Sequence, residues 1–417
     1  MALDESGRKT MLPGNPFLAL GQRLARFRAA NEPGLPRFCG GAVGTLNYEM
    51  IRHLEPSVSL AVSEGPEAQL LVFKNLVAFD HVRHRMLLIA NVAAQPQTSL
   101  AKSYGKACQA LDEMQEKLRQ PTREPSLRLA PENRRALAPK AALGRAAFIK
   151  GVKRFKAHIR AGDIFQGVLS DRFELPLRSE PFSVYRALRA INPSPYMFFV
   201  GNSQEAALGA SPEMLVRVEN GAVEIRPIAG TRPRGKTEQE DLSFERHLLA
   251  SVKERAEHVM LVDLGRNDVG RVSRPGSVKV SSYMQVERYS HVMHLVSSVS
   301  GRLKRGVSAW EAFAACFPAG TVTGAPKIRA MQIIAQNEPA PRGLYAGAVV
   351  YCGFGGNLDS AIAIRSLSVR RSGQGRRASF QAGAGIVADS RPKREHAELT
   401  NKSRALREAI QRVEGWA

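Results

Sequence analysis

From about residue 145 to the C-terminus the sequence switches repeatedly between stretches with helical spacing of apolar residues and stretches patterned as strands. The spacing predicts helices over 145–161, 182–191, 242–263, 308–316, 325–337 and 394–413, with strands over 163–174, 195–228, 343–370 and 378–388. Upstream, "NPFLALGQRLARFRAA" (15–30) predicts a helix with Asn15 as its cap and Pro16 in its first turn. "FCGGAVGTLNYEM" and "LLVFKNLVAFDHVRHRMLLIANV" read as strands with tight glycine turns. An α+β fold with large sheets is therefore expected. At 417 residues the chain forms one large domain or two interleaved ones. Residues 1–14 read as a disordered leader, 15–115 as an N-terminal region, the Arg- and Pro-rich stretch 116–142 as a basic linker, and 143–417 as the principal domain.

Composition excludes several classes of function. The start, Met-Ala-Leu-Asp-Glu-Ser, has neither the basic nor the apolar region of a signal peptide. No apolar run approaches the roughly 20 residues that span a bilayer. Four scattered cysteines, Cys39, Cys108, Cys316 and Cys352, suit reduced thiols in a cytoplasm. The net charge of +22 raises the question of a nucleic-acid or membrane partner. Its basic clusters are short, however: "RLKR" ending at Arg305, "RRSGQGRR" at 370–377 and "RPKR" at 391–394. They lack interleaved aromatics, and no nucleic-acid-binding signature appears, so neither nucleic acid nor membrane is expected. Most of this charge decorates loops, and part of it attracts an anionic substrate.

Two Glu-x-x-Glu pairs stand out, Glu254 with Glu257 and Glu395 with Glu398. Spacing of i,i+3 projects both carboxylates of a pair from one helix face. Four carboxylates brought together repel unless a cation lies between them, and an all-oxygen donor set favours Mg²⁺. The alternative is two solvated helix faces with i,i+4 pairs such as Glu254–His258 and Glu398–Lys402. Other candidate segments are weaker alone. Gly383 and Gly385 in "QAGAGIVADS" let backbone N–H groups approach an anion, or mark close strand packing. "PAGTVTGAPKIRAMQII" (318–334) places a Gly/Thr/Pro turn before a helix. Arg365, inside the apolar "AIAIRSL", requires a partner, ideally a carboxylate. "HVMH" supplies His291 and His294, either core histidines or acid–base groups.

Read together, "GDIFQGVLSDRF", "SPEM", "RPIAGTRPRG", "ERAEHVMLVDLGRNDVGR", "VERYSHVMHLVSSV", "FPAGTVTGAPKIRAM", "RGLYAGAV", "DSAIAIRS", "QAGAGIVADS" and "E-x-x-E-x-x-N-K" occur in this order. The series resembles the chorismate-utilising enzymes, most closely their anthranilate synthase component I branch. The match is densest over about 160–405, with a thinner one in "FCGGAVGTLNYEMIRHLE". The resemblance implies an α+β sandwich of antiparallel sheets flanked by helices, with 143–417 as the chorismate-binding catalytic domain and 15–115 as a shortened N-terminal region. It implies a lyase that turns chorismate and ammonia into anthranilate and pyruvate with Mg²⁺. Ala229 stands where aminodeoxychorismate synthases carry a nucleophilic lysine, and "PAGT" (318–321) where they tend to have "PGGS". A relative that stops at an aminated chorismate, or an inactive paralogue acting as a binding protein, are the other readings.

The resemblance also assigns roles. Glu257 and Glu398 become the nearest Mg²⁺ ligands, with Glu254 and Glu395 next, through water. Glu213 protonates the departing C4 hydroxyl, and His294 serves the proton and pyruvate steps. Arg365, Tyr345 and the Gly383/Gly385 backbone grip the enolpyruvyl carboxylate, while Thr321 and Lys402 lie near the ring carboxylate or metal. None of the four cysteines sits on the glycine elbow of a glutaminase, so ammonia is expected from a separate glutamine amidotransferase subunit, leaving homo- and hetero-oligomers open. The upstream "LLES" element of tryptophan-inhibited relatives has no counterpart here, since "HLLAS" (247–251) is different, whereas "NPSPYMFF" (192–199) is intact.

Overall fold

Two antiparallel sheets organise the chain, and the chain passes back and forth between them. The structure, a computed structural model, describes residues 14–415 except 30–32, 63–64, 93–98, 123–125, 128, 132–137, 290–291 and 374. It also describes a short ladder between Ala2–Leu3 and Lys9–Thr10. The rest of the stretch read as a leader, 1–13, and His291 lie outside the described residues.

In order across the first sheet lie Ile228–Pro233, Val292–Arg302, Ala222–Ile225, Met214–Glu219, Leu358–Ile362, Ala348–Gly353, Gly41–Leu46 and Ala68–Phe73. Lys279–Arg288 also pairs with Val292–Arg302. The second sheet runs Gly324–Ala325, Gln166–Leu177, Gly375–Ile386, Ser366–Ser372, Ala206–Ser211 and Tyr196–Gly201, with Lys140–Ala141 added beside Gln166–Leu177. The expected α+β fold with large antiparallel sheets and flanking helices is what the chain forms.

Each sheet buries one face under helices, because its strands carry apolar residues there. Beneath the first sheet, Leu215, Val299, Phe313 and Trp310 form a core closed by the helices Pro16–Leu24, Val252–Val272 and Ala309–Cys316. The Asn15 side chain accepts from Phe17 N at 2.9 Å, as its capping role requires. Trp310 Nε1 then donates to Phe17 O at 2.6 Å and holds this helix on the core. Beneath the second sheet, Leu208, Leu367 and Phe380 pack against the helices Pro181–Ile191 and Pro392–Glu414. Phe148, Leu169 and Ile333 pack with the helices Gly144–Arg160 and Lys327–Asn337. Among the described residues no helix is long and apolar enough to cross a membrane.

Two expectations change in detail. The helix predicted over 242–263 is two helices, Glu238–Ala250 and Val252–Val272. Ser251 breaks it with an extended backbone (φ −71°, ψ 107°), and its hydroxyl caps the second helix by accepting from Glu254 N at 3.4 Å. The helix Leu100–Arg119 extends into the stretch read as a linker from 116. Farther along that stretch, Ala130 is buried and its N–H donates to Arg412 O at 2.8 Å.

Candidate active site

The chain crosses between the sheets at two neighbouring places. Ala206–Ser211 of the second sheet leads through Pro212–Glu213 into Met214–Glu219 of the first. Leu358–Ile362 of the first leads through Ala363–Arg365 into Ser366–Ser372 of the second. The crossovers bond each other: Ile362 N donates to Glu213 O at 3.0 Å, Ala210 N to Arg365 O at 3.2 Å, and Ser211 Oγ to Ile362 O at 2.7 Å. The expectation that Arg365 lies within a strand is thereby corrected. It occupies a bend with φ 52°, which turns it out of the apolar ladder.

Glu213 is 9% exposed, and burial pushes its carboxyl up from 4.5 to about 7. The Thr321 hydroxyl and the Lys402 ammonium pull it back only in part. Thr321 sits on the 3₁₀ turn Gly320–Val322 and approaches Glu213 without an aligned hydrogen bond, so its buried Oγ1 keeps unspent capacity. A carboxyl of this kind keeps a large protonated fraction near neutrality and can serve as an acid.

The Gly320–Val322 turn packs against Gly375–Ile386, whose Gly383 and Gly385 pair with Ser170 and Val168. A Cβ at Gly383 would lie 2.6 Å from the Tyr345 hydroxyl, so glycine is what lets the phenol approach that backbone. Lys402 Nζ donates to Gly383 O at 3.1 Å and pairs with Glu398 Oε1 at 2.7 Å. Tyr345 is buried, and burial pushes its phenol up to about 12. It therefore remains a neutral donor.

Arg365 donates to the Lys402 carbonyl, and no carboxylate pairs with it among the described residues. Burial lowers its pKa, with Tyr345 and Glu398 opposing. A half-buried guanidinium with unspent donors fits a ligand carboxylate. His294 lies within reach of its charge: burial chiefly, and Arg365 in addition, lower the imidazole pKa. Its Nδ1 is 3.0 Å from Gly230 O and 3.1 Å from Thr231 Oγ1. A carbonyl only accepts, so Nδ1 carries the proton and Nε2 presents a lone pair. Gly230 is the bulge in its strand (φ 65°), and a Cβ there would meet Glu254 Oε2 at 3.2 Å.

The two glutamate pairs stand on separate helices, one on Val252–Val272 and the other on Pro392–Glu414, with Glu257 within electrostatic reach of Glu398. Glu257 is raised by burial first, then by the like charges of Glu254 and Glu398, against Lys253 and Lys402. Burial also raises Glu395, against a hydrogen bond from Ser390 and with Glu398 adding to the rise. Of the i,i+4 alternatives, Glu398–Lys402 forms, whereas Glu254 turns to Arg232 at 3.4 Å. His258 is fully buried and engages Ser297 Oγ at 2.6 Å instead. Among the described residues no three His, Cys, Asp or Glu side chains form a ready metal cage. The oxygen donors and their mutual repulsion still fit a hard cation held by one or two carboxylates and water.

Residue-by-residue reading missed Arg342 and Glu338, which lie behind Tyr345 as a buried pair at 2.8 Å. The only signal was the arginine opening "RGLYAGAV". Gln166, whose Nε2 stands 2.8 Å from a Cβ at Gly385, was likewise unmarked.

A buried acid, a glycine-lined strand, an unspent guanidinium and facing carboxylates converge at one seam. The sequence profile of the chorismate binding enzymes matches residues 10–408, and the chain belongs to that family. Among its relatives, anthranilate synthase component 1 of Acetivibrio thermocellus is 43% identical over 413 residues, covering 98% of this chain and 82% of that protein. The component 1 of Pseudomonas aeruginosa is 46% identical over 401 residues, covering 95% and 80%. The crystal structure of anthranilate synthase component I from Streptococcus pneumoniae TIGR4 superposes with a TM-score of 0.82 at 38% identity, over 94% of this chain and 85% of that one. The menaquinone-specific isochorismate synthase of Escherichia coli shares the fold, with a TM-score of 0.69 at 20% identity over 94% and 83%.

Proposed function

We propose that this chain is the chorismate-converting component of an anthranilate synthase: chorismate and ammonia become anthranilate, pyruvate and water. The observation that carries the reading is Glu213, buried where the two crossovers meet, beside Thr321 and within the field of Lys402, with a large protonated fraction kept near neutrality. Ammonia adds at C2 of the ring, the bond to the C4 hydroxyl breaks, and Glu213 gives its proton to the oxygen that leaves as water. His294, with an unprotonated Nε2, takes the ring proton whose loss aromatises the product as the ether bond breaks and enolpyruvate leaves, gaining a proton at its methylene carbon to become pyruvate. Arg365, Tyr345 and the strand at Gly383 and Gly385 hold the enolpyruvyl carboxylate, and Thr321 and Lys402 face the ring carboxylate.

Glu257 and Glu398 would hold Mg²⁺, with Glu254 and Glu395 behind them. When bound, the ion neutralises the carboxylates and polarises the substrate's own carboxylate. Ala229, buried in Ile228–Pro233, offers no amine for covalent capture of the ring, which favours direct attack by ammonia. All four cysteines are free, and neither buried one has a depressed pKa: burial pushes Cys316 to about 12 and Cys352 to about 11. A separate glutaminase subunit as ammonia source fits this, as does a reducing cytoplasm.

The test is an assay with chorismate, Mg²⁺ and ammonium, following anthranilate fluorescence and pyruvate together. Equal release of both is expected with ammonium and none with glutamine. Amination without pyruvate, or no turnover, overturns the reading.

A further inference from the structure

Behind Tyr345, Arg342 is 4% exposed and each of its three guanidinium nitrogens donates a hydrogen bond. Its Nε donates to Glu338 Oε2 at 2.8 Å and its NH2 to Glu338 Oε1 at 2.8 Å, a bidentate pair. NH1 donates to Val322 O and NH2 also to Val168 O, each at 2.8 Å. Val322 ends the turn that carries Thr321, and Val168 stands opposite Gly385 in the ladder. The guanidinium carbon lies 5.5 Å from the Tyr345 ring centre and 4.8 Å from that of Tyr48. Glu338 is itself anchored on the strand beside the glycines, accepting from Ser170 N at 2.8 Å and Ser170 Oγ at 2.7 Å.

One planar fork therefore reaches three parts of the site: the Thr321 turn, the strand facing Gly383 and Gly385, and the Tyr345 ring. A buried ion pair is weak support for stability, since desolvation offsets most of its attraction. Its rigid five-donor geometry instead fixes register, and lysine cannot reproduce it.

We propose that Arg342 is a positioning residue that sets where the Tyr345 phenol and the Thr321 turn stand relative to the Gly383–Gly385 strand. The kinetic consequence rests on the anthranilate synthase reading, whereas the geometric consequence does not. Arg342→Lys keeps the charge and loses the fork. In a crystal structure of that variant, the Tyr345 hydroxyl is expected to leave its place against Gly383 by about 1 Å, a displacement large enough to cost roughly 10²-fold in rate. An unmoved Tyr345 and an unmoved 320–323 turn overturn the proposal, whatever the enzyme catalyses.

In the ammonium-dependent assay, Arg342→Lys is expected to lower kcat/KM for chorismate by roughly 10²-fold. The same substitution made on a Tyr345→Phe background should cost clearly less, because the two residues act as a unit. Equal costs on both backgrounds, or wild-type kinetics in the single variant, overturn it. If Arg342→Lys does not fold, Glu338→Gln loosens the fork from its anchor while leaving the guanidinium in place. It is expected to show the same dependence on Tyr345 at smaller size, and a Glu338→Gln effect independent of Tyr345 overturns the proposal.

Discussion

The hydroxyl of Tyr345 fills the place where a side chain at Gly383 would begin: a Cβ there would stand 2.6 Å from it. Gly383→Ala must therefore move the phenol, since the other near atoms, Leu169 O and Ser170 Cβ at 3.0 Å, belong to the paired strand. A fall of roughly 10²-fold in kcat/KM is expected, with a small change in melting temperature. Gly385→Ala meets the end of a flexible amide, Gln166 Nε2 at 2.8 Å, and should cost less. Steady-state kinetics of the two variants side by side check the order.

Glu213→Gln should lose about 10²- to 10⁴-fold in kcat, the usual contribution of a positioned acid. Its effect on stability has the opposite sign. Burial raises the folded-state carboxyl from 4.5 to about 7, so the folded protein binds more protons than the unfolded chain in that interval. Stability contributed by this group is intact below pH 4.5 and is lost as pH rises through about 7. The glutamine variant should melt higher than wild type at pH 8 and not at pH 4, as calorimetry at the two pH values will show.

For Arg365→Gln, the unspent guanidinium predicts a binding defect. Removing a charged hydrogen bond of 1.5–3 kcal/mol should raise KM for chorismate by roughly 10- to 100-fold, with a smaller change in kcat. An unchanged KM would remove Arg365 from the substrate-binding set.

Both Glu257→Gln and Glu398→Gln should abolish Mg²⁺-dependent turnover while leaving circular dichroism unchanged. Burial and the neighbouring carboxylates raise Glu257, so its charge opposes folding when no cation is present. Glu257→Gln is thus expected to melt above wild type in chelator-treated buffer at neutral pH, and the difference should shrink when Mg²⁺ is added. Near-normal activity in either variant would sink the assignment.

Local signals in the sequence located most elements. Asn15 with Pro16 marked a helix start, and the last helix, predicted over 394–413, is observed as Pro392–Glu414. What periodicity could not show was where a single residue changes the chain's direction. Ser251 splits an apparently continuous helix because its hydroxyl satisfies a backbone N–H better than another helical turn would. Arg365 reads as part of a strand, although its left-handed backbone puts it at a crossover. The glutamates could be placed on helix faces from their spacing, but not the exchange in which Glu254 takes Arg232 rather than His258. Arg342 was invisible for a related reason: a charged residue in a Pro/Gly-rich loop reads as solvated until the partner that buries it, Glu338, is seen.

The crossovers at Glu213 and Arg365 give the molecule an unusual division of labour. Each sheet has its own apolar core, yet the acid, the guanidinium and the two glutamate walls belong to the joint between them. A chain with both cores formed and the halves not yet docked would have nearly all its secondary structure and none of its chemistry. During refolding, regain of catalysis should lag behind regain of ellipticity, which makes turnover a clock for the last assembly step.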